Sequence, residues 1–81
     1  MKKRLRFTYD READILHIDK CRPYAEQESQ ELKDEVIALL HPDTGEVENL
    51  AVLFFSTRLL RANLIELPVT AHLRLFSKEG A

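Results

Sequence analysis

Leu5, Phe7 and Tyr9 alternate with Arg4, Arg6 and Thr8, the two-residue period of a strand that turns one face toward a core. Extended character resumes at residues 15–19, with Leu16 and Ile18 on one face and Ile15 and His17 on the other. Residues 10–14, short and polar, suit a hairpin loop between these strands. Cys21-Arg22-Pro23 interrupts the pattern, because proline fixes φ and pushes Arg22 toward an extended conformation. Residues 25–31 are polar on both faces and read as an edge or solvated strand, where charge discourages unwanted pairing. Residues 36–40 form a continuous apolar run. After Pro42-Asp43-Thr44-Gly45 the chain resumes with Val47 and then the apolar residues 50–55, the clearest hairpin in the sequence. Asp43 and Gly45 stand where a type I turn and a following left-handed residue need them. Ser56 or Thr57 is placed to cap a helix, and Leu59, Leu60, Asn63 and Leu64 recur at helical spacing. Beyond Pro68, Val69, Ala71, Leu73 and Leu75 alternate with Thr70, His72, Arg74 and Phe76, which predicts a last strand over about 68–76. The pattern as a whole predicts an α+β domain: an antiparallel β-sheet of four to five strands, a meander of hairpins, with one short α-helix packed on one face.

The length of the chain limits its core. Eighty-one residues fit one domain, and so short a chain hides a smaller share of its surface than a large one does. Any apolar face left open on a monomer is a loss that self-association recovers, so a homodimer is expected. Twelve basic against fourteen acidic residues, a net charge of -2, give no global attraction to nucleic acid or an anionic membrane. The single Cys21 cannot form an internal disulfide and lacks the neighbours of a zinc motif; it reads as a small side chain in a reducing compartment. The basic start, Met-Lys-Lys-Arg, has no apolar run of a signal peptide behind it, and the run at 50–55 falls far short of the roughly 20 residues of a spanning helix. The expected location is the cytoplasm, with no membrane association.

The order of motifs carries a resemblance. Tyr9-Asp10-Arg11-Glu12-Ala13-Asp14-Ile15-Leu16-His17-Ile18, a polar strand, Asp34-Glu35-Val36-Ile37 and Thr44-Gly45-Glu46-Val47-Glu48-Asn49-Leu50 together resemble the small bacterial proteins grouped as domain of unknown function family 2283. The resemblance covers roughly residues 7–60, a family-like core, and leaves 68–76 as a C-terminal extension. It implies a short antiparallel sheet carrying one helix, and no reaction. Lys33-Asp34-Glu35 stands where such relatives usually turn at glycine.

Candidate chemistry centres on Asp10, Glu12, Asp14 and His17. Carboxylates are the donors that calcium or magnesium requires, but a dedicated calcium loop has about twelve residues, a glycine at its turn and a closing bidentate glutamate; neither is here. Asp10 and Asp14 read instead as turn residues whose side chains bond nearby backbone N–H groups. His17, His41 and His72 lie on separate expected strands, and spacing alone makes no metal pair of them. His41 with Asp43 has the form of a base and its orienter, yet Ser29, Ser56 and Cys21 lack a nucleophile motif. Glu26, Glu28, Glu31, Asp34 and Glu35 form an acidic stretch, a solvated face or a docking surface for a basic partner. Lys2, Lys3, Arg4 and Arg6 are its opposite in sign, without the aromatic platform or recognition helix of a nucleic-acid binder.

These residues predict a non-catalytic protein-interaction module without a cofactor, acting as a homodimer or with another small protein, and using a sheet edge or the apolar helix face. The expected seam runs over residues 59–76, with Leu59, Leu60, Leu64, Val69, Leu73 and Leu75 as its apolar positions. Two rivals remain: a small metal-dependent or acid/base hydrolase built near Asp10, Asp14 and His17, and a nucleic-acid-binding regulator acting through the basic N-terminus.

Overall fold

The computed structural model describes residues 4–62, 64–73 and 75. Among these residues five strands, β1 (Arg6–Asp10), β2 (Ile15–Asp19), β3 (Glu28–Leu32), β4 (Val36–Leu40) and β5 (Val47–Leu53), precede one helix, α1 (Phe55–Arg61). They form a single sheet in the order β1-β2-β5-β4-β3, every neighbouring pair antiparallel. The chain thus makes a β1–β2 hairpin and a β3–β4–β5 meander, joined where β5 pairs with β2.

Apolar content decides the position of each strand. β4 and β5, the continuous apolar runs, hold the buried hydrophobic residues Val36, Ala38, Leu50 and Val52, whereas the polar β3 lies at one edge with all but Leu32 exposed. Cross-strand partners share a face of the pleat. The registers Leu16↔Val52↔Val36 and Ile18↔Leu50↔Ala38 therefore place all four buried residues on one face. Ile18, Leu32, Leu40 and Val47 pack around Val36, Ala38 and Leu50, together with Leu67 and Val69 from beyond the helix. On the opposite face Ile15, His17, Ile37, Leu39, Ala51 and Leu53 are half-buried.

The turns agree with the sequence at two places. Asp10 Oδ1 accepts the N–H groups of Glu12 (3.1 Å) and Ala13 (3.1 Å), tying the first hairpin. Gly45 has φ +75°, as a left-handed position after Asp43 demands, and its N–H donates to the His41 carbonyl at 2.9 Å. At the β3–β4 turn the chain takes the left-handed region without glycine: Asp34 has φ 62° and Glu35 φ 60°. Aspartate tolerates this conformation and glutamate does so less readily.

Four expectations need correction. β1 has the period of a half-buried strand, yet all five of its residues are exposed, because it is an edge strand. The helix does not start at a Ser56 or Thr57 cap: its N-cap is Phe54, left-handed at φ 54° with no side-chain cap bond of its own. It ends at Arg61, so Leu64 follows it, and Asn63 lies outside the described residues. The last strand expected over 68–76 is not formed among the described residues of that segment. Pro68 has no N–H to give a ladder, and the Val69 N–H instead closes a tight turn onto the Leu67 carbonyl (2.8 Å). Residues 74 and 76 lie outside the described residues.

Candidate interaction surface

The first hairpin holds the residues most suggestive of chemistry, and the carboxylates of Asp10 and Asp14 are engaged in the fold. Asp14, left-handed at φ 58°, turns its side chain away from its own loop toward the start of α1. Its Oδ1 accepts the Ser56 N–H (2.9 Å) and the Tyr9 hydroxyl (2.6 Å), and its Oδ2 accepts the Ser56 hydroxyl (2.8 Å). The Phe55 N–H donates to the Asp14 carbonyl (3.0 Å). The helix N-terminus, whose first N–H groups lack intrahelical partners, is thus capped from a hairpin 42 residues earlier in the chain. Hydrogen bonds from Tyr9 and then Ser56 hold the Asp14 carboxyl below its ordinary value, and the same bond to Asp14 raises the Tyr9 hydroxyl. The Tyr9 ring also meets the Phe55 ring, with centroids 5.7 Å apart.

His17 sits in mid-β2, paired with Thr8 and Ala51, on the face carrying Asp10. Asp14 serves the helix on the other side, so Asp10, Asp14 and His17 do not share one cluster. His41 makes a different contact from the base-and-orienter pair: its Nδ1 accepts the backbone N–H groups of Asp43 (3.1 Å) and Thr44 (3.3 Å), and the ring caps the β4–β5 turn. Among the described residues no group of three His, Cys, Asp or Glu side chains is placed to hold a metal ion. No helix among the described residues is long and apolar enough to cross a membrane.

A polar cluster missed in the sequence lies beneath the β2–β3 connection. The β4–β5 ladder shifts between Leu39 and Leu40, pairing Leu39 with Asn49 and Leu40 with Val47, so Glu48 is the extra residue of a bulge. Asn49 is only 3% exposed. Its Nδ2 donates to Asp19 Oδ1 (2.9 Å) and the Cys21 carbonyl (2.7 Å), and its Oδ1 accepts Gln27 Nε2 (2.8 Å). The buried Glu48 Oε1 accepts Gln27 Nε2 (2.9 Å) and the Tyr24 hydroxyl (2.7 Å). This bond and partial burial push the Tyr24 hydroxyl up to about 12. Buried polar groups are costly unless bonded, and here their partners come from the connection, which the cluster pins across the β4–β5 hairpin. Two polar residues interrupting an apolar strand, Glu48-Asn49, were the available signal.

What remains open is apolar surface. Leu59, Leu60, Leu64, Leu73 and Leu75 are between 50 and 87% exposed. Val69, grouped with them by its alternation, packs inward instead. Leu59 lies one turn beyond Phe55 and so shares its helix face, the side that meets Tyr9. Phe54, Leu5 just before β1 and Phe7 on β1 add to the exposed set. Lys2 and Lys3 lie outside the described residues; Arg4 and Arg6 are exposed. No family model matches the chain, and neither a curated protein nor a solved structure matches it.

Proposed function

We propose that the chain is a non-catalytic protein-interaction module acting as a homodimer in the cytoplasm. The observation that supports it is the exposure of the five leucines of α1 and the segment after it, on a domain whose buried hydrophobic residues number four among those described. Exposed apolar patches of this kind mark interaction sites, and covering apolar area is worth about 25 cal/mol per Å². Kinship with the family that the opening motif resembles belongs to the same proposal. The test is light scattering on the full chain. A concentration-dependent dimer mass that Leu60→Ser with Leu64→Ser shifts toward monomer, with circular dichroism unchanged, supports the leucine seam. A dimer indifferent to these substitutions removes that seam, and a chain monomeric at every concentration removes the homodimer.

A further inference from the structure

The two edges of the sheet differ in chemistry. β3 presents Glu-Ser-Gln-Glu-Leu; an antiparallel copy centred on Gln30 would set Glu28 against the partner's Leu32 and Ser29 against the partner's Glu31, and the edge carries acids with no base. Charge on an edge is a common defence against edge-to-edge pairing. β1 presents Arg-Phe-Thr-Tyr-Asp, exposed throughout, with no proline and an unbroken register to β2. Its two charges, Arg6 and Asp10, are of opposite sign and so do not repel a second copy as an all-acidic edge would.

Read from its centre outward, β1 is complementary to itself. Strands related by a two-fold axis through Thr8 and running antiparallel bring Thr8 opposite the partner's Thr8. Phe7 then meets the partner's Tyr9, and Arg6 meets the partner's Asp10. Hydroxyl pairs, aromatic pairs and opposite-charge pairs are the cross-strand combinations that stabilise an antiparallel ladder. The alternation assigns them to faces: Phe7 and Tyr9 share the face of Leu16 and Ile18, while Arg6, Thr8 and Asp10 share the face of His17. We propose that β1 pairs antiparallel with β1 of a second copy of this chain, centred on Thr8, joining two five-stranded sheets into one of ten strands.

This rests on the reading of the chain as a self-associating module and assigns the seam, partner and register. The contact is isologous, so it closes at two copies, and the acidic β3 edge is left outside. Phe7, 62% exposed, gains cover from the partner's ring. Tyr9 is held ready by its bond to Asp14 and its contact with Phe55. Asp10 gives Oδ1 to its own turn, and a carboxylate has acceptor capacity on both oxygens for a guanidinium. The aromatic pairs fall on the sheet face that meets α1, so a β1 seam is continuous with the exposed side of Leu59 and admits both contacts in one dimer.

The test uses the full chain with Cys21→Ser. With Thr8→Cys added, mild oxidation should give a covalent dimer, because cross-strand Cβ atoms lie about 4.5–5.5 Å apart; Gln30→Cys on the other edge should stay monomeric on denaturing gels. Arg6→Asp, which leaves the hairpin bonds of Asp10 in place, should raise the dimer dissociation constant about tenfold, since the like-charge contact occurs twice per dimer. Circular dichroism of each variant separates lost pairing from lost fold. A dimer that gives no Thr8→Cys cross-link and is unmoved by Arg6→Asp overturns the β1 seam while leaving the interaction-module reading in place. A wild-type monomer at every concentration overturns both.

Discussion

Replacing Asn49 by alanine tests whether the buried polar cluster holds the β2–β3 connection to the sheet. The side chain is 3% exposed and makes three hydrogen bonds, to Asp19, to the Cys21 carbonyl and from Gln27. A typical intramolecular hydrogen bond contributes about 1 kcal/mol net, and a partner left buried and unsatisfied costs about 1–3 kcal/mol. Gln27 keeps its bond to Glu48 and Asp19 is half-buried, so the Cys21 carbonyl is the group most exposed to that penalty. The expected loss is about 2–3 kcal/mol, which lowers Tm by roughly 10–20 °C in a domain of this size. Urea unfolding followed by circular dichroism reads it as a lower midpoint at unchanged slope. Asn49→Asp is a sharper probe, because it replaces two donors by an acceptor facing Asp19 Oδ1 and the Cys21 carbonyl. It should cost more than alanine at neutral pH and recover as pH falls, since protonation of the introduced carboxyl restores a donor. Gln27→Ala should be less than additive with Asn49→Ala, as neighbours in one network are. An Asn49→Ala protein within about 0.5 kcal/mol of wild type refutes the clamp.

Gly45→Val should destabilise by about 1–2 kcal/mol at the urea midpoint; nothing lies within 4 Å of an added Cβ, so the cost is backbone strain at φ +75° alone. Glu35→Gly should do the reverse, raising stability by about 0.5–1 kcal/mol, because it relieves a left-handed glutamate at the expense of some unfolded-state entropy. Since the Asp14 carboxyl is held below its ordinary value of 3.8, its stabilisation is present above that pH and is lost as pH falls through the lower folded value; Asp14→Asn should flatten this acid limb of the stability curve. Tyr24 is raised from 10.0 to about 12, so its bond to Glu48 stabilises fully below pH 10.0 and is lost as pH rises toward 12. Phenolate absorbance should therefore appear later in the native protein than in urea, and Tyr24→Phe should remove the part of that delay that Tyr9, raised by Asp14, does not supply.

The sheet was legible because its signals are local. Asp10 bonds backbone two and three residues on, Gly45 closes a turn by its own conformation, and the apolar runs of β4 and β5 seek the centre whatever surrounds them. The cap on α1 was not legible for the opposite reason: Ser56 has the right side chain in the right neighbourhood, but the oxygen that accepts its N–H belongs to Asp14. The same holds at Asn49, where the partners lie 22 to 30 residues away. Alternation over 69–75 misled because a two-residue period marks a strand only where a ladder is open to it; past Pro68 the Leu67–Val69 turn lays those two side chains on the core, while Leu73 and Leu75 stay exposed. β1 shows the complementary error, since its period was right and its edge position, which decides exposure, is a property of the whole sheet.

The strand order also sets a sequence of events in folding. The β1–β2 hairpin and the β3–β4–β5 meander each close through contacts a few residues apart, whereas the β2–β5 pairing joins positions such as Asp19 and Asn49 that are 30 residues apart. Closing that large loop spends chain entropy before its contacts return any. The β2–β5 pairing should therefore be the costliest to close, and substitutions at Asn49 or Gln27, which tie the connection to β5, should change the unfolding rate more than the folding rate in stopped-flow urea jumps if that closure comes last.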